Sequence, residues 1–150
     1  QEAGKNGQPA WCYYKDNPES EKTFGKLYNW YAATDGRGLA PEGWQVPQDK
    51  DWIKMISFLG GEEKAGHKLK SRLGWKNGGN GSNISGFKAL PGGYRDPDGT
   101  FGNGGFGRWW SSTEASSIKA WRYRLGFDSE NINRFDGPKG YGFTIRCIKK

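Results

Sequence analysis

From residue 87 onward the chain changes from helical patterns to short β-prone runs that are separated by turn residues. Strands of a doubly wound sheet must be separated by helices, and no helical pattern lies between these runs. The sequence therefore predicts an α+β domain, in which two to three short helices precede a small irregular antiparallel sheet with long loops. The β-prone runs are FKALPGGY, RWWSST, AWRYRLGF, ENINRF and YGFTIRCIKK.

One helix is predicted over the stretch DKDWIKMISFLGG, which begins at Asp49. Pro47 precedes it, acidic residues favour its positive N-terminal end, and the glycine pair at 60–61 ends it. Further short helices are predicted in FGKLYNWYAATDG and in EEKAGHKLKSRLGW, where His67 stands among lysines and is expected to be solvated rather than catalytic. The stripe expected to face the core comprises Trp52, Ile53, Ile56 and Leu59.

A length of 150 residues fits one domain with a single core. The 25 glycines and seven prolines would favour disorder on their own, but eight Trp, seven Tyr and eight Phe residues can bury large apolar areas. We therefore expect a folded, loop-rich domain over residues 11–150. Residues 1–10, QEAGKNGQPA, are polar and rich in turn formers, and they are predicted to form a loose N-terminal arm.

Three glycines, Gly102, Gly104 and Gly107, have the G-x-G-x-x-G spacing of a dinucleotide-binding loop. Such a loop needs a helix directly after it, because the phosphates rest on the helix N-terminus. Here the run RWWSST follows, and two adjacent tryptophans suit the two sides of a strand. We interpret the spacing as accidental and expect these glycines to let the backbone turn around Phe101 and Phe106.

The formal net charge of +7 favours acidic partners without identifying one. Except at the C-terminal end, the basic residues are scattered and often neighbour acids, so nucleic-acid binding is not expected. No apolar run approaches the length of a membrane span. Charge therefore narrows the choice of partner only weakly.

The two cysteines, Cys12 and Cys147, lie near opposite ends of the chain. Two interpretations are open: a disulfide that closes a loop spanning nearly the whole chain, which would indicate an oxidising compartment, or two buried free thiols. The chain has neither a C-x-x-C pair nor a cluster of cysteine and histidine. A zinc site with the usual ligands is therefore not expected, and no cofactor is predicted.

Five motifs occur in order along residues 10–149: FGKLYNWYAA, PEGWQVPQDKDW, GFKALPGGYRD, WWSSTE and YGFTIRC. Together they resemble the Fibrobacter succinogenes major paralogous domain, found in bacterial surface and secreted proteins. That family in turn resembles formylglycine-generating enzymes and the variable proteins of diversity-generating retroelements. The resemblance implies a C-type lectin-like fold with adjacent chain ends, and an extracellular or cell-surface location. Adjacent ends would place Cys12 near Cys147, which favours the disulfide.

The resemblance to formylglycine-generating enzymes does not imply that this chain is catalytically active. Formylglycine-generating enzymes use a copper-binding cysteine pair shortly before their terminal Gly-Phe-Arg-Cys segment, and this chain has no cysteine between Cys12 and Cys147. The calcium-binding motifs of sugar-binding lectins, such as Glu-Pro-Asn and Trp-Asn-Asp, do not occur either. We interpret Asp96 and Asp98 as hairpin-turn residues rather than calcium ligands. The sequence thus predicts a non-enzymatic domain without a metal, with an enzyme as the less favoured class.

A binding surface is expected on the loops and strands of the C-terminal half, because sugar rings stack on Trp or Tyr and sugar hydroxyls bond to Asn, Asp and Arg. Alternation predicts that Tyr123, Leu125 and Ile132 face the core while neighbouring arginines and asparagines face outward. The alternative is that these polar residues are simply a solvated face. The candidate ligand-binding residues are Trp75, Asn77, Tyr94, Arg95, Asp96, Phe101, Arg122, Arg124, Asn131, Asn133 and Arg134.

The predicted partner is a glycan or a surface protein. Composition does not separate the two, since Trp, Tyr and Arg are also the usual anchors of protein interfaces. A further interpretation is a structural or assembly subunit of a surface adhesin or appendage, in which the domain is one part of a larger assembly.

Overall fold

The predicted α+β architecture is confirmed: short helices accompany small antiparallel sheets. The computed structural model describes residues 2–102 and 104–150. Its α-helices are α1 (Glu2–Lys5), α2 (Glu21–Phe24), α3 (Trp30–Ala33), α4 (Asp49–Phe58) and α5 (Glu62–Leu69). Its strands are β1 (Trp11–Cys12), β2 (Leu27–Tyr28), β3 (Trp44–Gln45), β4 (Phe106–Glu114), β5 (Lys119–Gly126), β6 (Ile132–Pro138) and β7 (Ile148–Lys149). Single 3₁₀ turns cover Tyr14–Asp16, Pro18–Ser20 and Lys76–Gly78.

The three long strands form an antiparallel sheet in the order β4-β5-β6. In its register Arg108 lies opposite Arg124, which lies opposite Asn133 on β6. Side chains aligned across neighbouring strands project to the same side of a sheet. The register therefore decides which side chains meet, and it breaks at a bulge between Trp110 and Glu114.

One side of this sheet forms the main core. Tyr123, Leu125 and Ile132 are each at most 1% exposed, which confirms the predicted inward face. The Trp52 ring from α4 stacks on the Tyr123 ring at a centroid distance of 4.6 Å. Burial of these large apolar surfaces is the main stabilising contribution on this side.

Helix α4 contributes a narrower apolar stripe than predicted. Its first turn is closed by a capping box, in which the Gln48 N–H donates to a carboxylate oxygen of Asp51 at 2.9 Å. Trp52 and Ile56, four residues apart, are buried as predicted. Ile53 is 51% exposed, so its predicted core position is wrong, because one helical step turns it about 100° away from the buried line.

The two chain ends meet around β2. Trp11 pairs with Tyr28 on one edge of β2, and an isolated bridge joins Tyr28 to Phe143 on the other edge. Trp110, which is fully buried, contacts both: its Nε1 donates to the Tyr28 carbonyl at 2.9 Å, and its ring lies 4.5 Å from the Phe143 ring. The segment before β1 is also fixed, since Asn29 binds the backbone of residues 8 and 10. The predicted loose arm is therefore attached to the domain and includes α1.

The predicted disulfide is wrong, because Cys12 and Cys147 are free thiols in the structure. The ends do approach each other, but β2 lies between them: Cys12 pairs with Leu27 on one edge, and the segment from Phe143 runs along the other. These two strand spacings, about 9 to 10 Å, separate Trp11 from Phe143, and Cys147 is a further four residues along the chain, next to β7. The meeting of the chain ends at β2 therefore does not place the two cysteines together.

Both thiols are expected to react with iodoacetamide without prior reduction, and slowly. Burial raises the pKa of Cys12 and also that of Cys147, so each holds less thiolate at a given pH than an exposed cysteine. Intact mass after alkylation should show two additions, at a rate that increases steeply as the pH rises toward 9. If the mass is unmodified before reduction and gains two additions only after it, the two cysteines form a disulfide after all.

No helix within residues 2–102 and 104–150 combines the length and the apolar character that crossing a membrane requires.

Candidate ligand-binding face

The side of the β4-β5-β6 sheet that faces away from α4 carries three arginines. Alternation along each strand and the observed register bring Arg108, Arg122 and Arg124 to this side. We call this surface the arginine face. It comprises Phe106, Arg108, Arg122, Arg124, Asn133 and Phe135, and the rings of Tyr94, Tyr141 and Phe143 lie against it.

Aromatic rings hold the first two guanidinium groups in place. The Arg108 guanidinium carbon lies 3.4 Å from the Tyr94 ring centroid. The Arg122 guanidinium lies between two rings, 5.1 Å from Phe135 and 5.3 Å from Phe143. Each contact is within the range of a cation–π interaction, which fixes the orientation of the planar group.

The third guanidinium is held in the same way at the other end of the face. Arg124 lies 4.6 Å from the Phe106 ring centroid and 5.8 Å from that of Phe135. Phe135 therefore lies close to both Arg122 and Arg124, and 40% of its surface remains exposed. The face thus alternates cations with rings, one of which is open to solvent.

These cations lack carboxylate partners. Within residues 2–102 and 104–150 no carboxylate forms a salt bridge with Arg108, Arg122 or Arg124. Four of their N–H groups are buried without a hydrogen-bond partner: Nε of each arginine and Nη1 of Arg122. Each such group costs about 1 to 3 kcal/mol, so the arrangement is unfavourable for folding.

Burial and mutual repulsion lower the pKa of Arg122 to about 10, with desolvation as the larger cause and the Arg108 charge next. Desolvation also lowers the pKa of Arg108 below its ordinary value. Since a pKa near 10 still leaves the group protonated at neutral pH, the face carries uncompensated positive charge under ordinary conditions.

Asp96 lies at the border of this face without neutralising it. Desolvation first, and then the neighbouring charge of Asp96, raise the pKa of the Tyr141 hydroxyl. The predicted hairpin places it there, because the Asp96 N–H donates to the Thr100 carbonyl at 2.8 Å. The arginine face therefore has one acidic border and three cations.

Four predicted ligand-binding residues come together here: Tyr94, Arg122, Arg124 and Asn133 lie on or against the arginine face, with Asp96 at its border. Asn131 is exposed and precedes β6.

Two other predicted residues form a separate cluster. Arg95 stacks on Phe101 at 5.0 Å, donates to the Gly99 carbonyl and forms an ion pair with Asp16 at 3.6 Å. The Phe101 ring makes an edge contact with Tyr14. These contacts hold the hairpin against the N-terminal segment. The side chains of Arg95 and Phe101 therefore stabilise the fold rather than face a ligand.

In the loop after α5, the ring of Trp75 is not exposed for ligand binding as predicted. Trp75 is 5% exposed and its Nε1 donates to the Ala89 carbonyl at 3.0 Å, so its predicted contact with ligand is wrong. A large ring next to glycine-rich sequence anchors the loop to the core here. Asn77 is exposed in a left-handed turn with φ 49°, at a distance of two residues from this anchor.

The predicted outward position of Arg134 in the ligand-binding surface is also wrong. It lies opposite Tyr123, on the core side of the sheet, and its guanidinium forms two 2.8 Å hydrogen bonds with the Asp49 carboxylate. This bidentate pair raises the pKa of Arg134. The same Asp49 accepts a hydrogen bond from the Tyr123 hydroxyl at 2.7 Å, so Arg134 ties α4 to β6.

Sequence reasoning missed Arg108, Phe106, Phe135 and Tyr141. The strand begins two residues before RWWSST, at Phe106. Alternation along this longer strand would have placed Phe106, Arg108 and Trp110 on one side of the sheet. Pairing that strand with β5 would have placed Arg108 beside Arg124. Tyr141 lies in an irregular segment, where no periodicity indicates which way a side chain points.

A strand follows the glycine-rich loop, as predicted, but the rings that its glycines accommodate are not Phe101 and Phe106. A Cβ on Gly102 would overlap the Tyr94 ring, and one on Gly107 would overlap the Trp109 ring and the Leu90 carbonyl. Gly102 is thus what allows the Tyr94 ring to lie against the arginine face.

Gly102→Ala is expected to destabilise the domain by about 1 to 3 kcal/mol, because the added methyl group displaces Tyr94 from Arg108. Gly36→Ala is the matched control, since a Cβ there meets no atom within 4 Å. Thermal unfolding of both variants checks this expectation. Equal midpoints for the two variants would show that Tyr94 can move without cost.

The fold and the face define an α+β domain that exposes cations and rings on one side of a small sheet. The chain belongs to the Fibrobacter succinogenes major domain family, whose family model matches residues 2–149. Comparison with curated proteins and with solved structures found no match. Among residues 2–102 and 104–150, no three His, Cys, Asp or Glu side chains gather as metal ligands.

Proposed function

We propose that this domain is a non-enzymatic, extracellular or cell-surface recognition module that binds an acidic glycan or an acidic protein surface through the arginine face. The observation that carries the proposal is the group of three half-buried guanidinium groups without carboxylate partners. Folding gains nothing from buried, unpaired N–H groups, whereas an acidic ligand at the accessible part of these half-buried guanidinium groups would compensate their charge. Binding sites commonly retain such locally unfavourable arrangements.

The chemistry of the face suits binding better than proton transfer. Even with its lowered pKa of about 10, Arg122 holds its proton near neutral pH, so it cannot exchange it readily with a substrate. Stacking on rings fixes the guanidinium planes before a ligand arrives, which reduces the entropy lost on binding.

A C-type lectin-like fold forms part of this proposal. It is supported by two adjacent helices, α4 and α5, by a small irregular sheet and by chain ends that meet on the two edges of β2. In such a domain the irregular segments around a sheet commonly supply binding residues. Tyr94 and Tyr141 belong to segments of this kind.

A binding screen over immobilised neutral glycans, acidic glycans and acidic proteins tests the proposal. We expect ligands only among the acidic members, with binding weakened at least about tenfold by Arg124→Met. Arg72→Met is the matched control, because Arg72 is exposed and lies on the loop after α5. An equal loss of affinity in both variants, or ligand binding that Arg124→Met leaves unchanged, would contradict the arginine face as the binding site.

An assembly subunit is the second candidate function, and a different surface favours it. A cavity of about 740 Å³ lies beside Phe58, which is 88% exposed, and Trp44, which is 44% exposed. Apolar side chains exposed together are typical of protein contacts. Light scattering after gel filtration tests this function: an oligomer that Phe58→Asp dissociates would favour it, and a monomer at all concentrations would argue against it.

A further inference from the structure

We infer that the ligand of the arginine face is a linear glycan that carries a carboxylate on successive sugars. This inference rests on the proposed function and names its ligand class. It follows from three features of the face: the number of cations, the exposed ring beside two of them, and the rigidity of both.

The face presents three guanidinium groups, more than the two oxygens of one carboxylate can pair with as forks. Arg108 and Arg124 are opposite each other on neighbouring strands, which lie about 4.8 Å apart. Arg122 is two residues from Arg124 on the same strand and on the same side, about 7 Å away. The planar fork of each guanidinium matches the two oxygens of one carboxylate. A ligand with repeated carboxylates therefore satisfies the face better than a single acid.

The groups beside the cations suit a sugar ring. Phe135 lies opposite Arg122, and its ring centroid is 5.1 Å from the Arg122 guanidinium carbon and 5.8 Å from that of Arg124. Because 40% of its surface is exposed, it offers a platform for the apolar face of a pyranose. Asn133, directly opposite Arg124, adds an amide that can both donate to and accept from hydroxyl groups. A sugar that stacks on Phe135 would thus lie close to two cations.

Rigidity favours a glycan over an acidic peptide. The three guanidinium groups are held by the rings of Tyr94, Phe106, Phe135 and Phe143, and are therefore oriented in advance. Carboxylates attached directly to sugar rings are also oriented in advance. Glutamate side chains, in contrast, each lose rotamer freedom when they bind.

Calorimetric titration with oligogalacturonates of increasing length tests the inference. We expect the affinity per chain to rise at least about tenfold between the single sugar and a chain long enough to reach all three arginines. The methyl-esterified chain is the matched ligand control, since it keeps the rings and loses the charges. It should not bind detectably. Arg124→Met should reduce the affinity for the charged chain at least about tenfold, whereas Arg72→Met should not.

Two further probes, polyglutamate and dextran sulfate, separate this inference from the proposed function. If either binds more tightly than oligogalacturonate, and Arg124→Met weakens it, the ligand class is wrong and the proposed function stands. If the esterified chain binds as well as the charged one, the inference is overturned in favour of neutral-sugar recognition. If no acidic polymer binds but an acidic protein of the screen does, and Arg124→Met weakens it, the inference fails and the proposed function stands. If no acidic ligand of either kind binds, both fail.

Discussion

A variant with Arg122→Met and Arg124→Met is expected to lose binding of acidic ligands by about 100-fold and, at the same time, to become more stable than the parent domain. The loss follows because each charge-assisted contact contributes about 1.5 to 3 kcal/mol, and about 1.4 kcal/mol corresponds to tenfold in affinity. Methionine keeps the apolar stem of arginine, so the packing beside Phe135 is largely preserved.

The expected sign of the stability change depends on which of two effects is larger. The two substitutions remove three buried N–H groups without partners, each costing about 1 to 3 kcal/mol, and they also remove repulsion between neighbouring cations. They give up cation–π contacts worth about 0.5 to 2 kcal/mol each. The removed costs exceed the lost contacts, so we expect a gain of about 1 kcal/mol and a midpoint 2 to 4 °C higher.

Thermal unfolding and ligand titration on the same samples check both expectations. Arg134→Met provides a contrasting control, because it breaks the bidentate pair with Asp49 and should destabilise the domain without loss of ligand affinity. If the double variant at 122 and 124 is destabilised as strongly as Arg134→Met, the arginine face is structural, and its cations are not reserved for a ligand.

Trp110→Ala is expected to cost about 3 to 5 kcal/mol, the largest stability loss that we predict for this chain. Trp110 is fully buried, stacks near Phe143 and donates to the Tyr28 carbonyl. Its removal leaves a cavity where β4 meets both chain ends, and a domain of ordinary stability would be largely unfolded at 37 °C.

Chemical denaturation of Trp110→Ala against Trp44→Ala measures this loss. Trp44 is 44% exposed, and its substitution should cost about 1 kcal/mol or less. A Trp110→Phe variant should recover most of the lost stability, since it restores the ring but not the hydrogen bond. Equal costs for the two alanine variants would contradict the placement of Trp110 at the junction of the chain ends.

The regular parts of the fold could be predicted because they follow a period. Alternation in β5 and β6 placed Tyr123, Leu125 and Ile132 inward, and proline, acids and glycines located α4. The same rule also assigns Arg134 to the core side with Ile132. A ligand-binding role for Arg134 is inconsistent with this alternation. The Asp49 carboxylate that Arg134 binds is distant in sequence, so no local pattern indicates the pair.

The rest depends on contacts between distant segments. Nothing local in the sequence shows that Tyr94 lies against Arg108, or that Tyr141 reaches Asp96. The disulfide was predicted from the meeting of the chain ends, which does occur, but the strand β2 lies between Cys12 and the C-terminal segment. Pairing order, rather than overall proximity, decides whether two cysteines can bond.

The arginine Nε–Hε resonances in nuclear magnetic resonance spectra test the central claim most directly, because they report on the guanidinium groups themselves. On titration with oligogalacturonate, polyglutamate or dextran sulfate, we predict that the signals of Arg108, Arg122 and Arg124 shift together with at least one of these probes, while that of Arg72 does not. Binding of an acidic probe that leaves the three signals in place, or that moves all arginine signals equally, would contradict the account.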